Sequence, residues 1–228
     1  MTILFALILL GGMLWVHFKG DFDKPYLTFA LTGVSFLLSL IFIRKGAKRL
    51  LFPLALACAV VADYFLVFSE LTSQNQLIGL CMFCGVQAVF MVYTLFLNKS
   101  NGRRVINIAT RVALCLIAYF VLPLYFPLGT LEIIAVMYII NFVVTLGVVA
   151  LHIKKEWVLF LGLLLYLLCD ISIGLVLGAG MLGLSAEFLQ VLTTINLNFW
   201  AYYPGLLLIA ISAVFAKKSN KYLDGKIN

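Results

Sequence analysis

The chain has 228 residues, of which 64% are hydrophobic and only 11% charged, with a mean hydropathy of +1.15 and a net charge of +7. Soluble domains carry about a quarter of their residues as charged side chains, so this composition excludes them and points to an integral membrane protein. Apolar runs of about 17 to 23 residues match helices that cross hydrocarbon, whereas a membrane barrel would show strands of about ten alternating residues.

Taken in order, the runs predict an all-α bundle of about eight transmembrane helices: Ile3 to Val16, Tyr26 to Ile43, Leu51 to Phe68, Leu77 to Leu97, Val105 to Phe126, Leu131 to Leu151, Trp157 to Leu177 and Phe188 to Phe215. The first run has no basic leader and no small-residue cleavage site, so it reads as a retained helix. Basic residues occupy alternate connections: Arg44, Lys45, Lys48 and Arg49; Lys99, Arg103 and Arg104; Lys154 and Lys155; and the tail with Lys217, Lys218, Lys221 and Lys226. The intervening loops carry Glu70, Glu132 and Glu187 without Lys or Arg, except the first, where Lys19 and Lys24 are matched by Asp21 and Asp23. This positive-inside pattern puts both ends in the cytoplasm and accounts for the net charge without nucleic acid. The expected organisation is a single transmembrane bundle over 1–216 and a short basic cytoplasmic tail over 217–228, in a bacterial cytoplasmic membrane.

Asp63 lies deep in the third run, PLALACAVVADYFLVF from Pro53 to Phe68. A carboxylate near mid-membrane costs roughly 2.5 to 3.5 kcal/mol, so it marks a bundle interior or a wet cavity and is a site by default. FLGLLLYLLCDISIGL, from Phe160 to Leu175, sets Asp170 in the same position of the seventh run. Both lie about a dozen residues, or about 18 Å, from the cytoplasmic end. The separation by four helices suggests two parallel halves of four helices each.

Polar side chains at similar depth on the inward-running helices complete a candidate layer: Gln87, Asn141, Asn196 and Asn198. Buried amides need partners in hydrocarbon, either in a pocket shared with the aspartates or as interhelical glue. The eighth run also holds Trp200, Tyr202, Tyr203, Pro204 and Gly205, where a kink beside a cavity is expected. Cys58, Cys81, Cys84, Cys115 and Cys169 all lie in apolar runs, and His17 and His152 sit at opposite membrane faces, so neither a metal site nor a Ser-His triad is expected. No cofactor is expected either. Two carboxylates held close do not readily both ionise. Such a pair suits hydrolysis through an oxocarbenium-like intermediate, and equally a proton relay in a small transporter or a lipid-binding membrane protein.

The D-K-P-Y-L of Asp23 to Leu27, the A-D-Y-F-L of Ala62 to Leu66 and the G-L-L-L-Y-L-L-C-D of Gly162 to Asp170 resemble the K-P, G-D-x-x-L and G-x-x-x-F-x-x-S-D elements of the YhhN, or lysoplasmalogenase, family of membrane proteins. The resemblance covers the eight-helix plan of the whole chain and implies hydrolysis of the vinyl ether bond of a lysoplasmalogen or related lysophospholipid, with Asp63 and Asp170 as the catalytic pair. The chain departs from the pattern at Ala62 and Cys169, where Gly and Ser are usual, has Gln87 and Tyr93 nearest to the family's histidine, and has the P-G-L-L of Pro204 to Leu207 for a late Q-x-L-I. Lys24, in the first outer loop, is placed to hold a lipid phosphate, to pair with an acid, or to anchor at the interface.

Overall fold

The computed structural model describes residue 11 and residues 24–41, 47–70, 72–98, 100–126, 128–195 and 197–224. The expected first helix and the side chains of the basic tail therefore lie outside the described residues, as do the side chains of Lys24 and Asn198 and the whole of Asn196. All regular structure among the described residues is helical: α1 (Lys24–Ile41), α2 (Ala47–Asp63, continued by a π-helical turn over Tyr64–Phe68), α3 (Ser73–Leu97), α4 (Asn101–Tyr125), α5 (Thr130–Ala150), α6 (Ile153–Leu177), the single turn α7 (Ala179–Leu182), α8 (Ala186–Ile195) and α9 (Leu197–Asp224). Spans over Leu50–Val67, Ser73–Leu97, Asn101–Tyr125, Thr130–Ala150 and Ile153–Leu177 are long and apolar enough to cross a membrane, and α8 with α9 make a sixth if that bent pair is one span.

One sequence expectation changes. The eighth run is divided into α8 and α9, inclined at 49°. Pro204 and Gly205 do not interrupt the chain, since α9 continues through both. Gly205 serves close packing instead. A Cβ on it would come within 3.0 Å of the Gly162 carbonyl oxygen and the Tyr166 nitrogen, and a Cβ on Gly162 would come as near to the Gly205 oxygen and the Ile209 nitrogen. Small residues let membrane helices approach backbone to backbone where hydrocarbon provides little hydrophobic drive. The α6–α9 contact is accordingly the most extensive among the described residues.

Contacts run from α1 to α2, α3, α5, α6 and α9, and from α9 back to α1, so these six helices close a ring, while α4 lies outside it against α5. On α1, Thr32, Ser35 and Ser39 share one face and are at most 1% exposed. Ser35 and Ser39 return their hydroxyl protons to the Leu31 and Phe36 carbonyls, which removes the need for outside partners. The inward faces of α2 and α6 match when aligned on their aspartates: Phe52 with Leu159, Ala55 with Gly162, Leu56 with Leu163, and Ala62 with Cys169 are all buried. The exception in size is Ala59, which aligns with the fully buried Tyr166.

Candidate functional site

Five of the six ring helices contribute a polar group to one cluster by hydrogen bonding or close approach, and α1 adds Thr32. Asp63, on α2, is 3% exposed. Tyr202 of α9 donates to its Oδ1 at 2.8 Å and its Oδ2 at 2.7 Å, and Thr32 of α1 donates to Oδ2 at 2.5 Å. The π-helical turn starts at the next residue, where the Ser69 amide reaches back to the Tyr64 carbonyl at 2.8 Å. Such widened turns recur at functional sites because they rotate the side chains that follow.

Asp170, on α6, is half-buried and accepts a 2.5 Å bond from the Tyr138 hydroxyl of α5. The two acids are thus held alike: each takes a hydroxyl from the preceding ring helix, at sequence separations of 31 and 32. One turn before Asp170 on α6 is Tyr166, whose ring centroid is 5.4 Å from that of Tyr202 and 5.4 Å from that of Phe142. Its hydroxyl is within electrostatic reach of both carboxyls. Neither that hydroxyl nor the amide of Gln87, which is 2% exposed on α3, makes a hydrogen bond among the described residues. Both approach the Tyr138 hydroxyl without reaching bonding geometry. A buried polar atom left unsatisfied costs roughly 1 to 3 kcal/mol, so these three atoms are the positions where water or another polar group would be taken up.

The other candidates fall elsewhere. Asn141 stands one turn from Tyr138 on α5, but its side chain belongs to a second cluster around Arg111. Tyr203 is buried one position beyond Tyr202 and packs its ring on Phe199 at 4.9 Å. Lys24 opens α1; its side chain, like Asn196 and the side chain of Asn198, is outside the described residues.

None of the family models, curated proteins or solved structures compared with the chain matches it. The site is therefore argued from its own geometry.

Several groups were not singled out from sequence. Tyr202 and Tyr166 stand inside quoted segments, yet a tyrosine in an apolar run gives no sign of whether its hydroxyl reaches a carboxylate. Arg111 is different, because a guanidinium inside the fifth apolar run is open to the same cost argument as the aspartates. It is 3% exposed, and all its bonding partners are neutral. Nε donates to Asn107 Oδ1 at 2.9 Å, Nη1 to the Asn141 carbonyl at 3.0 Å and its Oδ1 at 3.2 Å, and Nη2 to Thr145 at 3.1 Å and Thr94 at 3.5 Å. Thr94 lies about two turns from Gln87 on α3, and Thr145 about two turns from Tyr138 on α5. Arg111 therefore clips the outer helix α4 to the pair of helices that carry Gln87 and Tyr138. Arg111→Met is expected to lower the melting temperature in detergent, at about 1.5 to 3 kcal/mol for each lost bond to a charged group before relaxation. Unchanged melting would remove Arg111 from this role.

Tyr202→Phe removes one hydroxyl from a buried carboxylate. The expected destabilisation is about 1.5 to 3 kcal/mol. In a double-mutant cycle with Asp63→Asn, the two changes should be strongly non-additive, and additive losses would mean that the contact carries no energy.

Proposed function

We propose that the chain is a membrane-embedded hydrolase of the lysoplasmalogenase type, which cleaves the vinyl ether bond of a lysoplasmalogen or related lysolipid by acid-base chemistry of Asp63 and Asp170. The observation that carries this reading is that two carboxyl groups from distant parts of the chain enter one hydroxyl-lined cluster inside a ring of apolar helices. Protonation of the vinyl ether carbon beta to the oxygen gives an oxocarbenium ion. Addition of water then gives a hemiacetal, which breaks down to a fatty aldehyde and the free glycerol hydroxyl. An acid to supply the proton and a carboxylate to offset the cation or activate the water are the requirements, and neither needs a metal. The resemblance of the Ala62 to Leu66 and Gly162 to Asp170 segments to the YhhN family supports the same assignment.

The matching inward faces of α2 and α6, and the like placement of Thr32–Asp63 and Tyr138–Asp170, support an arrangement of two parallel four-helix halves. In that arrangement there are eight spans in all, both termini are cytoplasmic, and the outer helix α4 corresponds to the run Ile3 to Val16. The test of function is aldehyde release from lysoplasmalogen by purified protein in detergent. Failure to release aldehyde from any vinyl ether lysolipid would overturn the reading. A second reading, a proton relay in a small transporter, is favoured by one feature: a tyrosine hydroxyl holds each carboxyl, Tyr202 on Asp63 and Tyr138 on Asp170, and the Tyr166 ring packs against that of Tyr202. Uptake into proteoliposomes that depends on a pH gradient, without lysolipid hydrolysis, would select it.

A further inference from the structure

We infer that the two carboxyl groups have different jobs: Asp170, with the Gln87 amide and the Tyr166 hydroxyl, forms the subsite that exchanges a proton with a hydroxyl-bearing guest, whereas Asp63 is a fixed anion that positions Tyr202. The place of this split in catalysis rests on the acid-base reading above. The split itself rests on hydrogen bonding and access.

Both oxygens of Asp63 accept, from Tyr202 and Thr32, and the residue is sealed at 3% exposure. A carboxyl whose two oxygens are both occupied by donors is being used as an acceptor, which is the role of the ionised form. No incoming molecule can take up those lone pairs without displacing two hydroxyls.

Asp170 is the opposite case. Only Oδ2 is occupied, by Tyr138, so Oδ1 has no partner among the described residues, and the residue is half-buried where Asp63 is buried. Facing it are Tyr138 from α5, Tyr166 and Cys169 from its own helix, and Asp63 across the ring; no cation pairs with it among the described residues. The unsatisfied groups gather on this side. The Gln87 amide lies by Tyr138, the hydroxyl that already holds Asp170, and Tyr166 stands one turn from Asp170 on the same face of α6. In the proposed two-half arrangement α3 and α9 correspond. Tyr202 of α9 closes on Asp63, while Gln87 of α3 leaves Asp170 open. The free set comprises one carboxyl oxygen, one amide donor, one amide acceptor and one hydroxyl. It suits a guest that both gives and takes hydrogen bonds, such as water or a glycerol hydroxyl.

An apolar carbodiimide, dicyclohexylcarbodiimide, tests the split without relying on turnover. A protonated carboxyl adds across one C=N bond, its oxygen bonding to carbon and its proton passing to nitrogen. The acyl group then migrates from oxygen to nitrogen to give a stable N-acylurea, with nothing expelled and nothing oxidised. On wild-type protein in detergent, peptide mass spectrometry is expected to find the adduct on the peptide that carries Asp170 and not on the one that carries Asp63. It should be lost in Asp170→Asn and slowed by added lysoplasmalogen. An unlabelled Asp170, or labelling of Asp63 to the same extent, would overturn the inference. Labelling confined to Asp170, with no protection by the lipid and no aldehyde formed, would leave the split standing and remove the lysoplasmalogenase reading.

Discussion

Asp170→Asn is expected to lower aldehyde release by about 10²- to 10⁴-fold, the range that a positioned general acid or base contributes. The substitution keeps size and shape and leaves an amide oxygen where Tyr138 now donates to Oδ2 at 2.5 Å, so the local packing has little reason to change. What is lost is the exchangeable proton. A variant that elutes and melts like wild type yet releases no aldehyde is the predicted result. Wild-type turnover would take Asp170 out of the chemistry. Asp63→Asn should behave differently, because its amide nitrogen would confront hydroxyls that now donate to both oxygens. One donor must turn away or lose its partner, so this variant is expected to lose stability as well as activity.

Gly162→Val is expected to have the largest effect on folding. The added Cβ would come within 3.0 Å of the Gly205 carbonyl oxygen, the Ile209 nitrogen and the Leu208 Cβ, and two of these atoms are backbone, which moves only if the whole helix moves. Overpacking typically costs about 1 to 3 kcal/mol, and valine brings two methyl groups beyond the Cβ into the backbone-to-backbone approach of α6 and α9. Separation of α6 from α9 would also part Tyr166 from Tyr202, whose ring centroids are 5.4 Å apart. The predicted observation is loss of the monodisperse peak in size-exclusion chromatography, with aggregation on solubilisation. Gly147→Ala is the control, since nothing lies within 4 Å of a Cβ there. Equal behaviour of the two variants would mean that the α6–α9 approach is not needed for folding.

The aspartates were legible because their cost is local. A carboxyl inside an apolar run is unfavourable wherever the helix faces lipid, so its presence alone implies an interior. Arg111 was open to the same argument and was missed, since no acid on its own helix drew attention to it. Asn141 shows how far depth can be trusted. Counting residues down a helix gives a level in the membrane but not a partner, and Asn141, one turn from Tyr138 on α5, serves Arg111 through 3.0 and 3.2 Å bonds rather than either aspartate. Pro204 and Gly205 show a further limit. Both residues weaken a helix in isolation, but α9 continues through them, and the missing side chain of Gly205 is used for contact with Gly162.

Class and helical spans follow from the sequence by itself, because hydrocarbon offers the backbone no partner and every apolar run of sufficient length must satisfy its own amides as a helix. The pairing of Thr32 with Asp63, of Tyr138 with Asp170 and of Tyr202 with Asp63 was decided only by tertiary structure. Each of those contacts depends on the rotation of two helices about their own axes, and that rotation is set by how small and large side chains interlock around the whole ring rather than by any one segment.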